Sequence, residues 1–177
     1  MKKDYDIIIV GGGAAGLVAA IEAARTAEIN IAILERMPRV GKKILATGNG
    51  RCNLSNANAV YGSYFGDNQF SKYALEKYDV SDTLEFFKSI GLFTVVEDEG
   101  RIYPMSRQAS SVLDALRFEC ERLGVEFICD TKAVSLKKYN DKFLINEDIR
   151  CRNVIIATAH IRFRPSPAPV QIFLLLL

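Results

Sequence analysis

The chain has 177 residues, of which 49% are hydrophobic and 25% charged, as in an ordinary globular protein with one substantial core. Its formal net charge of +2 is too small to indicate nucleic acid or an anionic membrane as a partner. Lys2 and Lys3 precede only a short apolar run, so we expect no signal peptide. The four cysteines lack metal-ligand spacing and His160 is the single histidine, which predicts a cytoplasmic protein with reduced thiols and no metal site.

The first 35 residues predict a strand, a glycine-rich turn, a helix and a second strand. Residues 5–10 are mostly apolar, as expected of a parallel strand covered on both faces. Residues 14–27 have helical spacing of apolar positions, and residues 30–35 form a second apolar run. A right-handed crossover should place these two strands side by side in a parallel sheet.

The turn between the first strand and the helix has the Gly-x-Gly-x-x-Gly pattern of a dinucleotide site. Gly11 permits a tight turn, Gly13 lets the backbone approach a pyrophosphate, and Gly16 lets the helix pack closely on the strand. The helix amino terminus then faces the negative charge with unpaired N–H groups. Glu35, at the end of the second strand, is placed to accept hydrogen bonds from a ribose. The glycine pattern alone is a weak signal, but here its context is right on both sides.

The remaining helices are predicted from capping residues and helical spacing. Ser81 is the predicted N-cap of a helix that has Asp82 in its first turn and stops at Gly91. Ser110 or Ser111 is the predicted N-cap of another helix, terminated by Gly124. No prediction is made for residues 61–78, where aromatic and polar residues alternate irregularly.

Four further segments predict strands or hairpins. Residues 92–96 and 101–103 flank a hairpin turn at 98–100, and 125–128 should be a third parallel strand. Residues 131–138 and 142–146 predict an antiparallel excursion, and 154–157 a last buried strand.

Residues 37–58 form a predicted loop in which glycines at 41, 48 and 50 free the backbone. Consecutive N–H groups can then converge on an anion, and Lys42, Lys43 and Arg51 add positive charge. Such a loop is usually a solvated turn with exposed basic side chains. Its place directly after Glu35 favours a role in the nucleotide site.

Three long motifs resemble the bacterial FAD-dependent oxidoreductases of the BaiN and aminoacetone oxidase family. They are Gly-Lys-Lys-Ile-Leu-Ala-Thr-Gly-Asn-Gly-Arg-Cys-Asn at 41–53, Glu-Asp-Glu-Gly-Arg-Ile-Tyr-Pro at 97–104 and Gln-Ala-Ser-Ser-Val-Leu at 108–113. The resemblance covers residues 5–158 and matches only the amino-terminal part of the family pattern. It implies a flavin-dependent oxidoreductase of Rossmann-type α/β fold that acts on a small organic molecule, with NAD(P)H as a possible second substrate.

The resemblance also implies where FAD binds. The adenosine ribose would lie on Glu35, the pyrophosphate at the glycine turn, the adenine near the backbone of Val134, and the isoalloxazine near residues 48–53. The complete set of implied cofactor-binding residues is Gly11, Gly13, Ala14, Ala15, Gly16, Glu35, Arg36, Lys42, Lys43, Gly48, Asn49, Gly50, Arg51, Cys52, Asn53, Val134, Ala157 and Thr158. No catalytic residue is assigned.

Two groups near the implied flavin site have a functional and an ordinary interpretation. Cys52 is a redox partner of the flavin or, more commonly for an isolated thiol, a packing residue. Glu97, Asp98 and Glu99 are a carboxylate cluster for proton transfer or a solvated hairpin turn, and we favour the turn.

The character of the sequence changes after Thr158, where prolines at 165, 167 and 169 precede four final leucines. This change predicts an FAD-binding domain over residues 1–158 that is incomplete at its carboxyl end, followed by an atypical tail over 159–177 from another reading frame or an artefactual end. The alternative is a non-catalytic remnant that binds no cofactor. An NAD-binding dehydrogenase domain is disfavoured, because the loop at 42–53 has no place in it.

Overall fold

The structure is a computed structural model that describes residues 4–60, 62, 68–158 and 173–174. The strands are β1 (Asp4–Val10), β2 (Ile31–Leu34), β3 (Ser55–Asn56), β4 (Thr94–Val96), β5 (Arg101–Pro104), β6 (Glu126–Ile128), β7 (Leu136–Tyr139), β8 (Lys142–Ile145), β9 (Ile149–Ile156) and β10 (Phe173–Leu174). The helices are α1 (Ala14–Thr26), α2 (Asn68–Lys77), α3 (Val80–Ser89) and α4 (Ala109–Arg122), with 3-10 turns at Ile44–Gly50 and Asp98–Gly100.

The chain divides into two compact units. The first unit combines Met1–Lys43 with Leu116–Leu177, and the second is the continuous segment Ile44–Ala115. Each unit contains its own sheet.

The sheet of the first unit is mostly parallel and has the order β6-β2-β1-β9-β8-β7 within the described residues, with β10 paired to β9. Strand β1 pairs in parallel with β2 on one side and β9 on the other, and β2 pairs in parallel with β6. The predicted parallel strands are therefore confirmed. Strand β9 is longer than predicted, because it begins at Ile149 and pairs with both β1 and β8.

The core of this unit is built from the apolar positions that the sequence singles out. Ile8, Ile9 and Ile33 in the strands and Leu17 and Ile21 in α1 are completely buried. Complete burial of one such side chain stabilises a fold by roughly 1.5–3 kcal/mol. This layer fixes the strand ends from which the glycine turn and Glu35 emerge.

The antiparallel excursion is the hairpin of β7 and β8, with Leu136 opposite Ile145 and Tyr139 opposite Lys142. Strand β8 continues the sheet by pairing antiparallel with β9. The predicted antiparallel excursion is therefore confirmed.

Of the tail, only β10 is described, and it pairs in parallel with Ile155 and Ile156 of β9. His160 and the three closely spaced prolines lie outside the described residues.

The sheet of the second unit has the order β3-β5-β4 and is antiparallel. The predicted hairpin at 98–100 is confirmed, since β4 and β5 flank the 3-10 turn Asp98–Gly100. The segment 37–58 is not a loop throughout, because it contains the 3-10 turn Ile44–Gly50 and strand β3.

Both predicted N-caps are wrong. Helix α3 is capped by Asp79, whose side chain accepts from the Asp82 N–H, while the Asp82 carboxylate accepts from the Asp79 N–H. This reciprocal pair satisfies two orphan donors and starts the helix before Ser81. Helix α4 begins at Ala109, so Ser110 and Ser111 lie inside it. Helix α2 occupies a segment for which no element is predicted.

Candidate functional site

The glycine turn joins β1 to α1 in a geometry that side chains would prevent at two positions. Gly11 has a φ of 112°, which L-residues rarely adopt, and a Cβ there would meet Thr158 Cγ2 at 2.5 Å. A Cβ on Gly16 would collide with the Gly11 carbonyl oxygen. The helix and the strand therefore approach to backbone contact at Gly16.

Gly13, the middle glycine of the motif, faces open space, because a Cβ at this position would have no neighbour within 4 Å. Gly13 is also the N-cap of α1, and no side chain caps this helix. Its first turn is Ala14, Ala15 and Gly16, and the Gly13 carbonyl accepts from the Leu17 N–H at 3.0 Å. The amino terminus of α1 therefore offers backbone N–H groups and the positive end of the helix dipole to an anion.

The Glu35 carboxylate is held beside this turn by two backbone donors. Its Oε2 accepts from the Gly12 N–H at 2.9 Å, and its Oε1 accepts from the Met37 N–H at 2.9 Å. Each carboxylate oxygen has a second lone pair that can receive a ribose hydroxyl. The role of Gly12 was not predicted from the sequence. Gly12 is the first variable position of the Gly-x-Gly-x-x-Gly motif, and its N–H binds the Glu35 carboxylate.

The residues after Glu35 divide into a packed and an exposed set. Val40 is buried, and the Gly41 N–H donates to the Gly12 carbonyl at 2.6 Å. Arg36, Lys42 and Lys43 are exposed to solvent. The structure therefore brings the Val40 side chain and the Gly41 backbone against the glycine turn.

The segment around Val134 is fixed by Asn146, a second residue that the sequence analysis missed. The Asn146 Oδ1 accepts from the Val134 N–H at 2.9 Å, and its Nδ2 donates to the Lys132 carbonyl at 2.8 Å. The Val134 N–H is therefore already engaged, while the Val134 side chain is 66% exposed. Asn146 has a φ of 51°, and asparagine tolerates this region better than most residues.

Ala157 and Thr158 follow β9 at the same sheet edge as the glycine turn. The Ala157 N–H donates to the Val10 carbonyl at 2.9 Å, and the Thr158 methyl lies against Gly11. The Thr158 hydroxyl is buried and has no hydrogen-bond partner among the described residues. Buried polar atoms are nearly always paired, so this hydroxyl is a group that a bound ligand can satisfy.

In the second unit, the loop of residues 48–53 has an unusual backbone. Gly48, Asn49, Gly50 and Cys52 all have positive φ, at 54°, 53°, 81° and 58°. A Cβ on Gly48 would meet the Asn53 backbone nitrogen at 2.7 Å. The loop is closed by two backbone bonds, from the Arg51 N–H to the Gly48 carbonyl and from the Cys52 N–H to the Thr47 carbonyl, each 3.1 Å.

Arg51 is held by an ion pair and an aromatic ring. Its Nη1 lies 2.9 Å from Glu97 Oε2, and its guanidinium carbon lies 4.1 Å from the centre of the Tyr103 ring. Glu97 also accepts from Arg107 Nε at 2.6 Å. The bond to Arg107, supported by the one to Arg51, lowers the pKa of Glu97, and the bond to Glu97 raises the pKa of Arg51. Asp98 and Glu99 are exposed, as the solvated-turn interpretation expects, whereas Glu97 is partly exposed and paired with two arginines.

All four cysteines are free thiols, and Cys52 is buried. It is the single cysteine of the second unit, which agrees with a packing residue. Burial raises the pKa of Cys120 and of Cys151 to about 12.

Among the described residues, no group of histidine, cysteine and carboxylate side chains is arranged to hold a metal ion. Within the same residues, no helix is long and apolar enough to cross a membrane.

These features coincide with a known family. The family model of the HI0933-like protein Rossmann domain matches residues 5–162. The chain belongs to this family. The HI0933-like domain is an FAD-binding Rossmann domain of flavoprotein oxidoreductases, so the predicted fold class, family and cofactor are confirmed.

Three comparisons place the chain within larger proteins. It is 46% identical over 142 residues to the 3-dehydro-bile acid delta(4,6)-reductase of Clostridium scindens, a match that covers 79% of this chain and 34% of the reductase. It is 28% identical over 158 residues to the ribosomal RNA dihydrouridine synthase of Escherichia coli, covering 87% and 39% of the two chains. The crystal structure of THI4 from Thermovibrio ammonificans superimposes with a TM-score of 0.59 at 18% identity, over 89% of this chain and 58% of that one.

The chain therefore spans little more than a third of the length of the two curated relatives. The similarity to THI4 shows the shared fold alone.

Proposed function

We propose that this HI0933-like domain binds the FAD of an oxidoreductase that acts on a small organic molecule. The observation that carries the proposal is the Glu35 carboxylate, oriented by the Gly12 and Met37 N–H groups at the end of β2. A carboxylate at this point hydrogen-bonds a ribose and repels a 2′-phosphate.

The residues of the first unit fit the adenosine diphosphate half of FAD. The pyrophosphate would bind the first turn of α1, where a Cβ on Gly13 would have no neighbour within 4 Å and no side-chain hydrogen bond caps the helix among the described residues. The buried Thr158 hydroxyl, which has no hydrogen-bond partner among the described residues, would donate to or accept from the same group. The adenine would lie near the Val134 carbonyl and side chain, because the Val134 N–H already donates to Asn146.

The loop of residues 48–53 is proposed to face the isoalloxazine. When bound, FAD supplies the capacity to accept and return a hydride. The chain's own contribution would be backbone N–H groups that converge where successive residues have positive φ, which can stabilise negative charge on the reduced ring. Lys42 and Lys43 add exposed positive charge in the first unit.

The proposed substrate is a small organic molecule. The reductase of Clostridium scindens, 46% identical to this chain, is named for the reduction of a bile acid, which supports such a substrate, with NAD(P)H as a candidate reductant. A more distant relative is named for the modification of ribosomal RNA, so RNA is the second candidate substrate. The four free thiols support a cytoplasmic location.

The test is to titrate ADP and FAD against the chain and its Glu35→Ala variant. We expect the variant to lose roughly 1–3 kcal/mol of binding free energy for both ligands, the worth of charge-assisted hydrogen bonds. Glu28→Ala, which removes an exposed carboxylate elsewhere in the same unit, should leave both affinities unchanged.

Equal affinity in the Glu35→Ala variant and the original chain would exclude Glu35 as the ribose-binding acid. A folded chain that binds neither ADP nor FAD would favour the non-catalytic alternative. Because Glu35→Ala also removes two hydrogen-bond acceptors, its urea midpoint is measured alongside to confirm that it is folded at the titration temperature.

A further inference from the structure

The second unit contains a charged cluster that the proposed cofactor site does not use directly. It consists of Arg51 in the loop of residues 48–53, Glu97 at the end of β4, Tyr103 in β5 and Arg107 after β5. Glu97 is its centre, because each of its carboxylate oxygens accepts from a different arginine. Its side chain is only 22% exposed, so these two bonds are partly shielded from water.

The same cluster determines where the loop backbone lies. Arg51 stands between Gly50 and Cys52, both of which have positive φ. Its guanidinium is held against the buried Tyr103 ring on one face and by the Glu97 carboxylate at its edge. The Tyr103 ring also lies near Gly48, since a Cβ added there would be 3.5 Å from Tyr103 Cε1. The same ring is therefore close to both Gly48 and Arg51.

We propose that Glu97 is a positioning residue for the loop of residues 48–53, acting through Arg51 and itself oriented by Arg107. Arg51 is consequently an anchor of the loop. The functional consequence rests on the proposed function: the loop already has the shape that faces the isoalloxazine before FAD binds.

The cost of positive φ is the reason that such an anchor is needed. Asn49 and Cys52 are not glycines, and each carries a backbone conformation that is disfavoured for its side chain. Two local backbone bonds close the turn, but both lie within the turn itself. The contact from Arg51 to Glu97 ties the turn to a strand far away in the sequence, and so resists its opening.

The first test measures hydrogen exchange in the chain without FAD. The Arg51 and Cys52 amides donate to Gly48 and Thr47, and their exchange rates report the opening of the turn. We expect Glu97→Ala to raise both rates about two- to fivefold, as for a partly exposed ion pair. Glu97→Gln, which keeps an acceptor, should restore part of the protection.

Glu99→Ala is the matched control, because Glu99 is an exposed acid two positions away in the same hairpin and pairs with Arg101. It should leave both amides unchanged. Unchanged rates in Glu97→Ala, or an equal increase in Glu99→Ala, would overturn the positioning role. If Glu97→Ala does not fold, the comparison of Glu97→Gln with Glu99→Gln decides in the same way.

The second test compares ligands that differ in the flavin. Glu97→Ala should weaken FAD binding about two- to fivefold while leaving ADP affinity unchanged, because ADP lacks the isoalloxazine. An equal loss for both ligands would indicate a general structural defect and contradict the inference. Failure of the original chain to bind either ligand would refute the proposed function instead, and the exchange rates would still decide the role of Glu97.

Discussion

Replacing Gly16 by alanine tests whether the close approach of α1 to β1 is the reason for glycine at this position. The new methyl group would collide with the Gly11 carbonyl oxygen. Neither atom can move aside by a side-chain rotation, because one is a backbone atom and the other is bonded directly to the backbone. Overpacking of this kind costs about 3 kcal/mol, and the better helix propensity of alanine returns about 1 kcal/mol. We therefore expect a net loss of about 2 kcal/mol, a large fraction of the stability of a typical domain.

Urea unfolding followed by circular dichroism measures this loss, which should lower the midpoint by about 1 M. Gly13→Ala is the matched control, since its methyl group would enter open space at a negative φ of −82°. We expect it to change stability by less than about 1 kcal/mol and to weaken ADP and FAD, because it fills the approach to the helix end. A Gly16→Ala midpoint equal to that of the original chain, or equal losses in the two variants, would refute the argument.

Two further predictions concern residues outside the glycine turn. The bond to Arg122, followed by that to Arg25, lowers the pKa of Glu119 from 4.5 to about 2. A carboxyl whose pKa is depressed by folding stabilises the fold above its unfolded pKa, so unfolding free energy should fall as the pH drops from about 4.5 towards 2. Glu119→Gln should flatten this slope in acid denaturation; an unchanged slope would contradict it. Asn146→Ala should cost about 1–2 kcal/mol and speed exchange of the Val134 amide, which donates to it; a protected Val134 amide in the variant would argue against this clamp.

The elements of the first unit could be predicted because their signals are local. Periodicity and segment length identify the secondary structure of three segments without ambiguity. These are the apolar run before Gly11, the spaced small and apolar residues of α1, and the apolar run before Glu35. The antiparallel hairpin was also predictable, since two apolar segments flank a polar turn. The bounds are less certain, as β9 shows by beginning at Ile149.

The N-cap of α3 was wrongly predicted because two nearby side chains can both cap a helix. Asp79 and Ser81 are both good N-caps, and only the reciprocal bond with Asp82 distinguishes them. An Asp-x-x-Asp pattern before the apolar face of α3 was the available signal.

The contacts that shape the candidate site were harder to predict, because they join residues distant in sequence. Nothing local to Arg51 indicates that its partner is Glu97, and nothing local to Asn146 indicates that it binds the segment at 132–135. The motifs could locate the loop but not the pairing that neutralises its arginine. Such pairs become visible only when the strands bring them together.

The pairing of β1 has a consequence for the order in which the chain folds. One edge of β1 pairs with β2, which is synthesised soon after it, but the other edge pairs with β9, which follows the whole of the second unit. A nascent chain therefore has β1, α1 and β2 with an open hydrophobic edge until residues 149–156 leave the ribosome. The continuous segment Ile44–Ala115 contains both partners of each of its strand pairs and can fold before β9 is made. Closure of the first unit is then the late step, and slowed translation before β9 would prolong exposure of that edge to aggregation.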